Sequence, residues 1–187
     1  LPKSPPLCGG ILIFVCSVLF FKSLILLTTF GFFILIIGIL SDANKIFSPR
    51  KRILIQSIVS ICFIYLSNLT ITDLRIDSIN FVLDIKLVSI LFTLFCVLIL
   101  INGSNLLDGL NTLVIGYYIL VCLFLIMVSN NFELMINPNI KLLTIILSTL
   151  FFFNFFSKLY LGDSGAYLLG FYIAFFLIDF SLKNNSV

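Results

Sequence analysis

The sequence predicts an all-α polytopic membrane protein with about seven transmembrane helices. Of its 187 residues, 61% are hydrophobic and 10% are charged, and the mean hydropathy is +1.26. A soluble domain needs more polar surface than this composition supplies. The apolar residues also form repeated runs, and runs of roughly 15 to 20 residues can cross a bilayer as helices.

Short polar breaks divide the apolar residues into seven predicted spans. The predicted spans are 10–21, 23–40, 53–67, 86–102, 112–128, 140–156 and 165–181. Only Lys22 and Ser23 separate the first two, so a single long helix over 10–40 is the alternative. Residues 69–77 alternate between apolar and polar types, which predicts a short exposed strand between two spans.

The basic residues predict the orientation of the chain. Lys45, Arg50, Lys51 and Arg52 form the densest basic group, and such groups mark cytoplasmic loops. The loop at 41–52 is therefore predicted to be cytoplasmic.

Alternation of the spans then assigns the other loops. Residues 102–111 and 157–164 fall on the cytoplasmic side, and 68–85 and 129–139 fall on the outer side.

Three aspartates lie at span ends on the predicted cytoplasmic side. Asp42 ends "GILSD", Asp108 lies within "NGSNLLDGLN", and Asp163 lies within "LGDSG". Carboxylates that recur at one membrane face suggest a shared site. The alternative is that each aspartate caps a helix at the interface.

The residues around these aspartates favour a site for a divalent cation and phosphate. Carboxylates beside asparagine amides are hard oxygen ligands, which suit Mg²⁺ or Mn²⁺. Asn102, Asn105 and Asp108 recur every three residues, so they share roughly one face of a helix. Gly162 and Ser164 flank Asp163 where a span begins, and backbone N–H groups at a helix start can bind phosphate.

Lys45 and Arg50 are candidate phosphate partners from the basic loop. The alternative is that they only anchor the chain on the positive side of the membrane.

The composition also excludes some classes of site. The chain has no histidine, so a histidine-based triad, metal cluster or proton relay cannot form within it. The five cysteines show no CxxC spacing and lie mostly in apolar runs, as small buried apolar side chains do.

Four segments resemble, in order, motifs of the polyprenyl-phosphate N-acetylhexosamine-1-phosphate transferases, a family that includes the phospho-N-acetylmuramoyl-pentapeptide transferases. "NGSNLLDGLNTL" resembles the N-x-x-N-x-x-D-G signature, and "LYLGDSGAYLLGF" resembles the G-D segment that precedes a span. "GILSDANKIFSPRKR" occupies the place of the aspartate-rich motif and its basic loop. "PPLCGG" resembles the proline and glycine pairs that open an early span.

The resemblance implies transfer of a sugar-1-phosphate from a UDP-N-acetylhexosamine to undecaprenyl or another polyprenyl phosphate, with release of UMP. This step would initiate a lipid-linked cell-envelope glycan, such as cell-wall, lipopolysaccharide or O-antigen glycan. The implied location is a bacterial inner membrane with a cytoplasmic active site. Mg²⁺ is the expected cofactor, with Mn²⁺ as the alternative. We expect a homodimer and no nucleic-acid partner.

The resemblance also implies roles for individual residues. Asp163 and Asn105 are expected to bind the metal. Asp42 is expected to act in catalysis with the acceptor phosphate, and Asp108 in catalysis or in positioning the diphosphate. Asn102, Asn111, Gly162, Ser164, Lys45 and Arg50 complete the expected substrate-binding set.

The chain departs from the family pattern in three ways. Ser41 precedes Asp42 where an Asp-Asp pair is common, and Asn111 and Thr112 replace an aspartate and a glycine. The histidine-containing loop and further spans of the family are absent from these 187 residues. We therefore expect a piece of a longer enzyme.

Two other functions stay open at this stage. One is a polytopic transporter whose aspartates bind cations, although transporters usually bind near the bilayer midplane. The other is an inactive fragment or membrane interaction module.

Overall fold

The computed structural model describes residues 6–44, 48–108 and 112–184, and these residues are almost entirely helical. Each predicted span contains a helix, and one short helix is additional. The eight helices of the described residues are α1 (Gly9–Phe20), α2 (Ile25–Asp42), α3 (Pro49–Ser67), α4 (Asp77–Leu83), α5 (Lys86–Leu107), α6 (Leu113–Phe132), α7 (Asn139–Phe155) and α8 (Gly162–Lys183).

The lengths of the helices fit a polytopic membrane protein. Within the described residues, α2, α5, α6 and α8 are long and apolar enough to cross a membrane, and α1 and α7 are shorter apolar helices. Large apolar side chains such as Phe95 on α5 and Phe124 on α6 are more than half exposed on the outside of the bundle. An apolar exterior of this kind suits contact with lipid tails.

Local sequence explains several helix boundaries. Pro49 opens α3, where its missing N–H costs nothing, and Asn68 ends the same helix in the left-handed conformation. A turn at 21–24 separates α1 from α2, so the single helix over 10–40 does not form.

The strand predicted at 69–77 does not form. Residues 69–76 are irregular, and Asp77 begins α4. The backbone of Ile71 bonds to side chains of α5 instead of to a strand: its N–H donates to Thr93 Oγ1 at 2.8 Å, and its carbonyl accepts from Ser89 Oγ at 2.7 Å. These bonds satisfy the backbone N–H and carbonyl of Ile71, which lies in the segment that the alternation of apolar and polar residues predicted to be a strand.

The polar break predicted at 102–111 begins later than expected, because α5 continues to Leu107. Side chains in this last part of the helix have partners within the bundle. Asn102 Nδ2 donates to Gln56 Oε1 and to the carbonyl of Leu98, both at 3.0 Å. The helix therefore carries Asn102 and Asn105 and ends next to Asp108.

Helix α8 is the central element. It packs against α1, α2 and α5, and every residue from 164 to 176 is buried. Glycines let its neighbours approach closely: a Cβ on Gly38 of α2 would overlap the Cα of Ser164, and one on Gly10 of α1 would lie 2.6 Å from the N of Gly165. Small residues at such contacts are how membrane helices gain packing energy.

Replacement of Gly38 by alanine should lower the thermal midpoint of the detergent-solubilised protein. The added methyl group forces α2 away from the backbone of α8, and overpacking of this kind costs about 1–3 kcal/mol. Gly103→Ala is the matched control, because no atom lies within 4 Å of a Cβ at that position. A Gly38→Ala midpoint equal to that of Gly103→Ala would contradict the close α2–α8 contact.

Candidate active site

Asp42 binds the start of α8. Its Oδ1 accepts a hydrogen bond from the N–H of Asp163 at 2.8 Å, and its Oδ2 accepts one from the N–H of Ser164 at 3.1 Å. The first N–H groups of a helix have no partner within the helix, and its N-terminal end carries partial positive charge. The last residue of α2 therefore supplies both hydrogen-bond acceptors and negative charge to α8.

Gly162 makes this contact possible. Its φ of +71° turns the backbone sharply into α8, and a Cβ there would lie 3.0 Å from Asp42 Oδ2. Glycine adopts positive φ without the cost that other residues incur. The same residue thus provides both the turn and the space for the carboxylate.

Asp163 is held by a serine and an arginine. Ser41 Oγ donates to Asp163 Oδ2 at 2.5 Å, and Arg52 Nη1 donates to the same oxygen at 3.3 Å. Arg52 Nη1 also donates to Ser41 Oγ at 2.7 Å. Among the described residues no partner bonds Asp163 Oδ1, so one carboxylate oxygen is available to a ligand.

Asp108 follows the end of α5 and lines a cavity of about 150 Å³ together with Asn154, Tyr160 and Gly162. Burial, together with the nearby charges of Asp163 and Asp42, raises the pKa of Asp108 to about 7. The three predicted aspartates therefore lie close enough for their negative charges to interact.

The predicted asparagine positions differ in their surroundings. Asn105 is half-buried on the turn of α5 before Asp108, and its side chain has no hydrogen bond to any described residue. Asn102 bonds to Gln56 between α5 and α3, away from the aspartates. Asn111 lies outside the described residues.

The remaining predicted residues do not all have side chains directed at the three aspartates. Ser164 is fully buried, and its Oγ has no hydrogen-bond partner among the described residues. Arg50 is exposed on α3, and Lys45 lies outside the described residues. Arg52 is the member of the basic group for which the described structure shows an ion pair with Asp163.

Asn154 is a polar residue of the site that the sequence did not single out. Its Oδ1 accepts from the N–H of Thr112 at 2.8 Å, and its Nδ2 donates to the carbonyl of Leu159 at 3.1 Å. It thereby joins the start of α6 to the segment before α8, beside Asp108. A lone asparagine in the apolar run "FFFNFF" was the available signal.

This end of the bundle carries side-chain oxygen atoms of the chemical type that Mg²⁺ prefers. Within the described part of the chain, no three Asp, Glu, His or Cys side chains form a ready group of metal ligands. The unbonded Oδ1 of Asp163, the carboxylate of Asp108 and the amide of Asn105 are hard donors. Mg²⁺ usually takes one or two carboxylates and completes its shell with water and substrate phosphates.

Comparison with known proteins identifies relatives. Residues 24–181 match the model of glycosyl transferase family 4. Among curated proteins, the phospho-N-acetylmuramoyl-pentapeptide-transferase of Dictyoglomus thermophilum is 28% identical over 180 residues, which cover 90% of this chain and 57% of that protein. The enzymes of the same name from Caldicellulosiruptor bescii and Clostridioides difficile are 27% and 26% identical and cover 90% and 88% of this chain.

The chain spans about half the length of these relatives, since the matches cover 57%, 57% and 52% of them. The family match includes α2 through most of α8, and so contains Asp42, Asp108 and Asp163. The chain belongs to glycosyl transferase family 4.

Proposed function

We propose that the protein transfers a sugar-1-phosphate from a UDP-N-acetylhexosamine to a polyprenyl phosphate and releases UMP. An oxygen of the lipid phosphate forms a bond to the sugar-bearing phosphorus, and the bond from that phosphorus to the UMP oxygen breaks. The observation that carries the proposal is the grouping of Asp42, Asp108 and Asp163 around the start of α8 in a chain of this family.

The site lies at an end of the bundle, where a soluble nucleotide and a membrane lipid can meet. The predicted basic loop belongs to this end, because Arg52 reaches Asp163. By the positive-inside rule we propose that this end faces the cytoplasm of a bacterial cell. The site's place at the helix ends, and not near the middle of the spans, supports a transferase over a transporter.

Mg²⁺ is the proposed cofactor, with Asp163 and Asn105 as the residues that hold it and Mn²⁺ as a substitute. When bound, the ion would offset the negative charge of the phosphate groups that must approach each other. The chain's own part is to present Asp163 Oδ1 in a fixed orientation, since Ser41 and Arg52 hold the other oxygen.

We assign Asp108 to proton transfer from the lipid phosphate. A phosphate monoester loses its second proton near pH 6, and a base with a pKa close to the working pH serves this step well. Asp108 lines the cavity beside α8, and its pKa of about 7 lies in this range. Asp42 is assigned to positioning, because both its oxygens already accept N–H bonds from α8.

Replacement of Asp163 by asparagine should abolish UMP release. Membranes that contain the natural full-length protein are supplied with UDP-N-acetylhexosamine, polyprenyl phosphate and Mg²⁺, and UMP is measured. Loss of the metal's stabilisation, worth several kcal/mol, predicts a drop of roughly a hundredfold or more. Asp84→Asn, at an exposed position after α4, is the matched control and should keep full activity. Full activity in Asp163→Asn would contradict the proposed metal role.

Asp108→Asn should lose activity without losing stability. The pKa of Asp108 is about 7 in the folded protein against a usual 3.8, so the folded state favours the protonated form. Ionisation of Asp108 therefore lowers the free energy of unfolding. The loss is complete above about pH 7 and absent below the usual pKa of 3.8. Asparagine imitates the protonated acid and removes this dependence.

The measurement is thermal unfolding in EDTA across pH 4–8, compared between wild type and Asp108→Asn. The stability of the variant relative to wild type should grow as the pH rises from 4 to about 7 and then level off. In a separate assay with Mg²⁺, the variant should release less UMP than wild type at every pH. An advantage that stays constant with pH would show that Asp108 does not titrate in this range.

Asp42→Ala should lower the thermal midpoint as well as activity. Loss of a capping side chain costs roughly 0.5–2 kcal/mol, and here two N–H groups lose their acceptor at once. Asp42→Asn, which keeps one acceptor oxygen, should fall between wild type and alanine. Equal midpoints in all three proteins would rule out the capping role.

A further inference from the structure

The basic residues at the start of α3 differ in where their side chains lie. Arg50 and Lys51 are exposed, whereas Arg52 reaches inward and its side chain is 22% exposed. Two residues along a helix correspond to a rotation of about 200°, so Arg50 and Arg52 project from nearly opposite sides. The helix therefore separates one arginine from its neighbours and directs it to Asp163.

Arg52 makes a short hydrogen bond to Ser41 and a longer one to Asp163. Its Nη1 donates to Ser41 Oγ at 2.7 Å and to Asp163 Oδ2 at 3.3 Å. Charge-assisted hydrogen bonds between N–H and a carboxylate are commonly about 2.7–2.9 Å long, so the bond to Asp163 is a stretched one. Ser41 is thus the anchor of Arg52, and Asp163 is a partner that can be exchanged.

Most of the donor capacity of Arg52 is unused. A guanidinium carries five N–H groups, and among the described residues only Nη1 of Arg52 has acceptors. Unused donors in the plane of a guanidinium match the oxygens of a phosphate, which accept two parallel bonds. Arg52 can therefore bind a phosphate while it stays on Ser41.

We propose that Arg52 is a substrate phosphate-binding residue that rests on Asp163 until a divalent cation binds there. The cation and the guanidinium are both positive, so binding of the cation at Asp163 weakens the ion pair and frees Arg52. Ser41 accepts the arginine without adding a negative charge, so it keeps Arg52 near the site but does not hold it by charge. This inference rests on the proposed function and adds an order of events, with the cation first and the phosphate second.

The experiment compares Arg52→Gln with Lys51→Gln, a change at the exposed neighbouring position of α3, in the purified natural full-length protein. Mn²⁺ binding without substrate is measured by electron paramagnetic resonance, and the KM values for the nucleotide sugar and the polyprenyl phosphate are measured separately. Separate KM values identify which substrate supplies the phosphate.

Arg52→Gln should bind Mn²⁺ as tightly as wild type or tighter, because a competing positive charge is gone. The KM of one phosphate substrate should rise roughly tenfold or more, the effect of losing one charge-assisted hydrogen bond. Lys51→Gln should leave Mn²⁺ binding and both KM values within about twofold of wild type, because an exposed charge contributes little. A structural defect would instead weaken both Mn²⁺ binding and binding of the phosphate substrate, so the two explanations give different results.

Weaker Mn²⁺ binding in Arg52→Gln than in wild type would overturn the proposal, and so would unchanged KM values for both substrates. If Arg52→Gln does not fold, Arg52→Lys decides: it keeps the charge but lacks the planar donors, so wild-type KM values for both substrates overturn the proposal and a raised KM supports it. If the wild-type protein releases no UMP, the proposed function fails. The Mn²⁺ comparison then decides whether Arg52 and a cation compete for Asp163.

Discussion

The contact between Asp42 and the start of α8 is the constraint on which the site depends. A carboxylate at the last residue of one helix bonds to the N–H groups of the second and third residues of another, at 2.8 and 3.1 Å. The partial positive charge of the helix start favours this anion, and no residue of α8 itself supplies a side-chain cap. The contact fixes the backbone of Asp163, whose carboxylate is also held by Ser41 and Arg52.

Packing makes this contact rigid. Helix α8 is buried from 164 to 176, and Gly38 and Gly10 bring the backbones of α2 and α1 against its first turns. Because the backbones are in direct contact, a larger residue at Gly38 or Gly10 would push α2 or α1 away from α8. A site built on helix ends in the membrane needs such support, since helix association there gains little from the hydrophobic effect.

Much of the fold followed from the sequence because apolar runs of this length have few stable forms in a bilayer. Each predicted span contains a helix in the structure, and the three polar breaks do meet at one end. The boundaries were harder to predict. Residues 102–107 stayed helical because Asn102 and Ser104 found partners inside the bundle, and 69–76 stayed irregular because side chains of α5 satisfied Ile71. Such bonds depend on tertiary neighbours that no local pattern contains.

The sequence singled out three aspartates as candidate site residues but could not separate the roles proposed for them. The structure separates them by the bonds that each one already makes. Asp42 uses both oxygens on backbone N–H groups, and Asp163 uses one oxygen and leaves the other open. The carboxylate of Asp108 has no hydrogen bond to any described residue. A carboxylate with both oxygens bonded is suited to hold structure, and one with an open oxygen is suited to bind a cation. A half-buried carboxylate near two other negative charges is suited to take up a proton. We therefore propose that the number of free oxygens, which depends on how α2, α5 and α8 meet, separates the roles of the three aspartates.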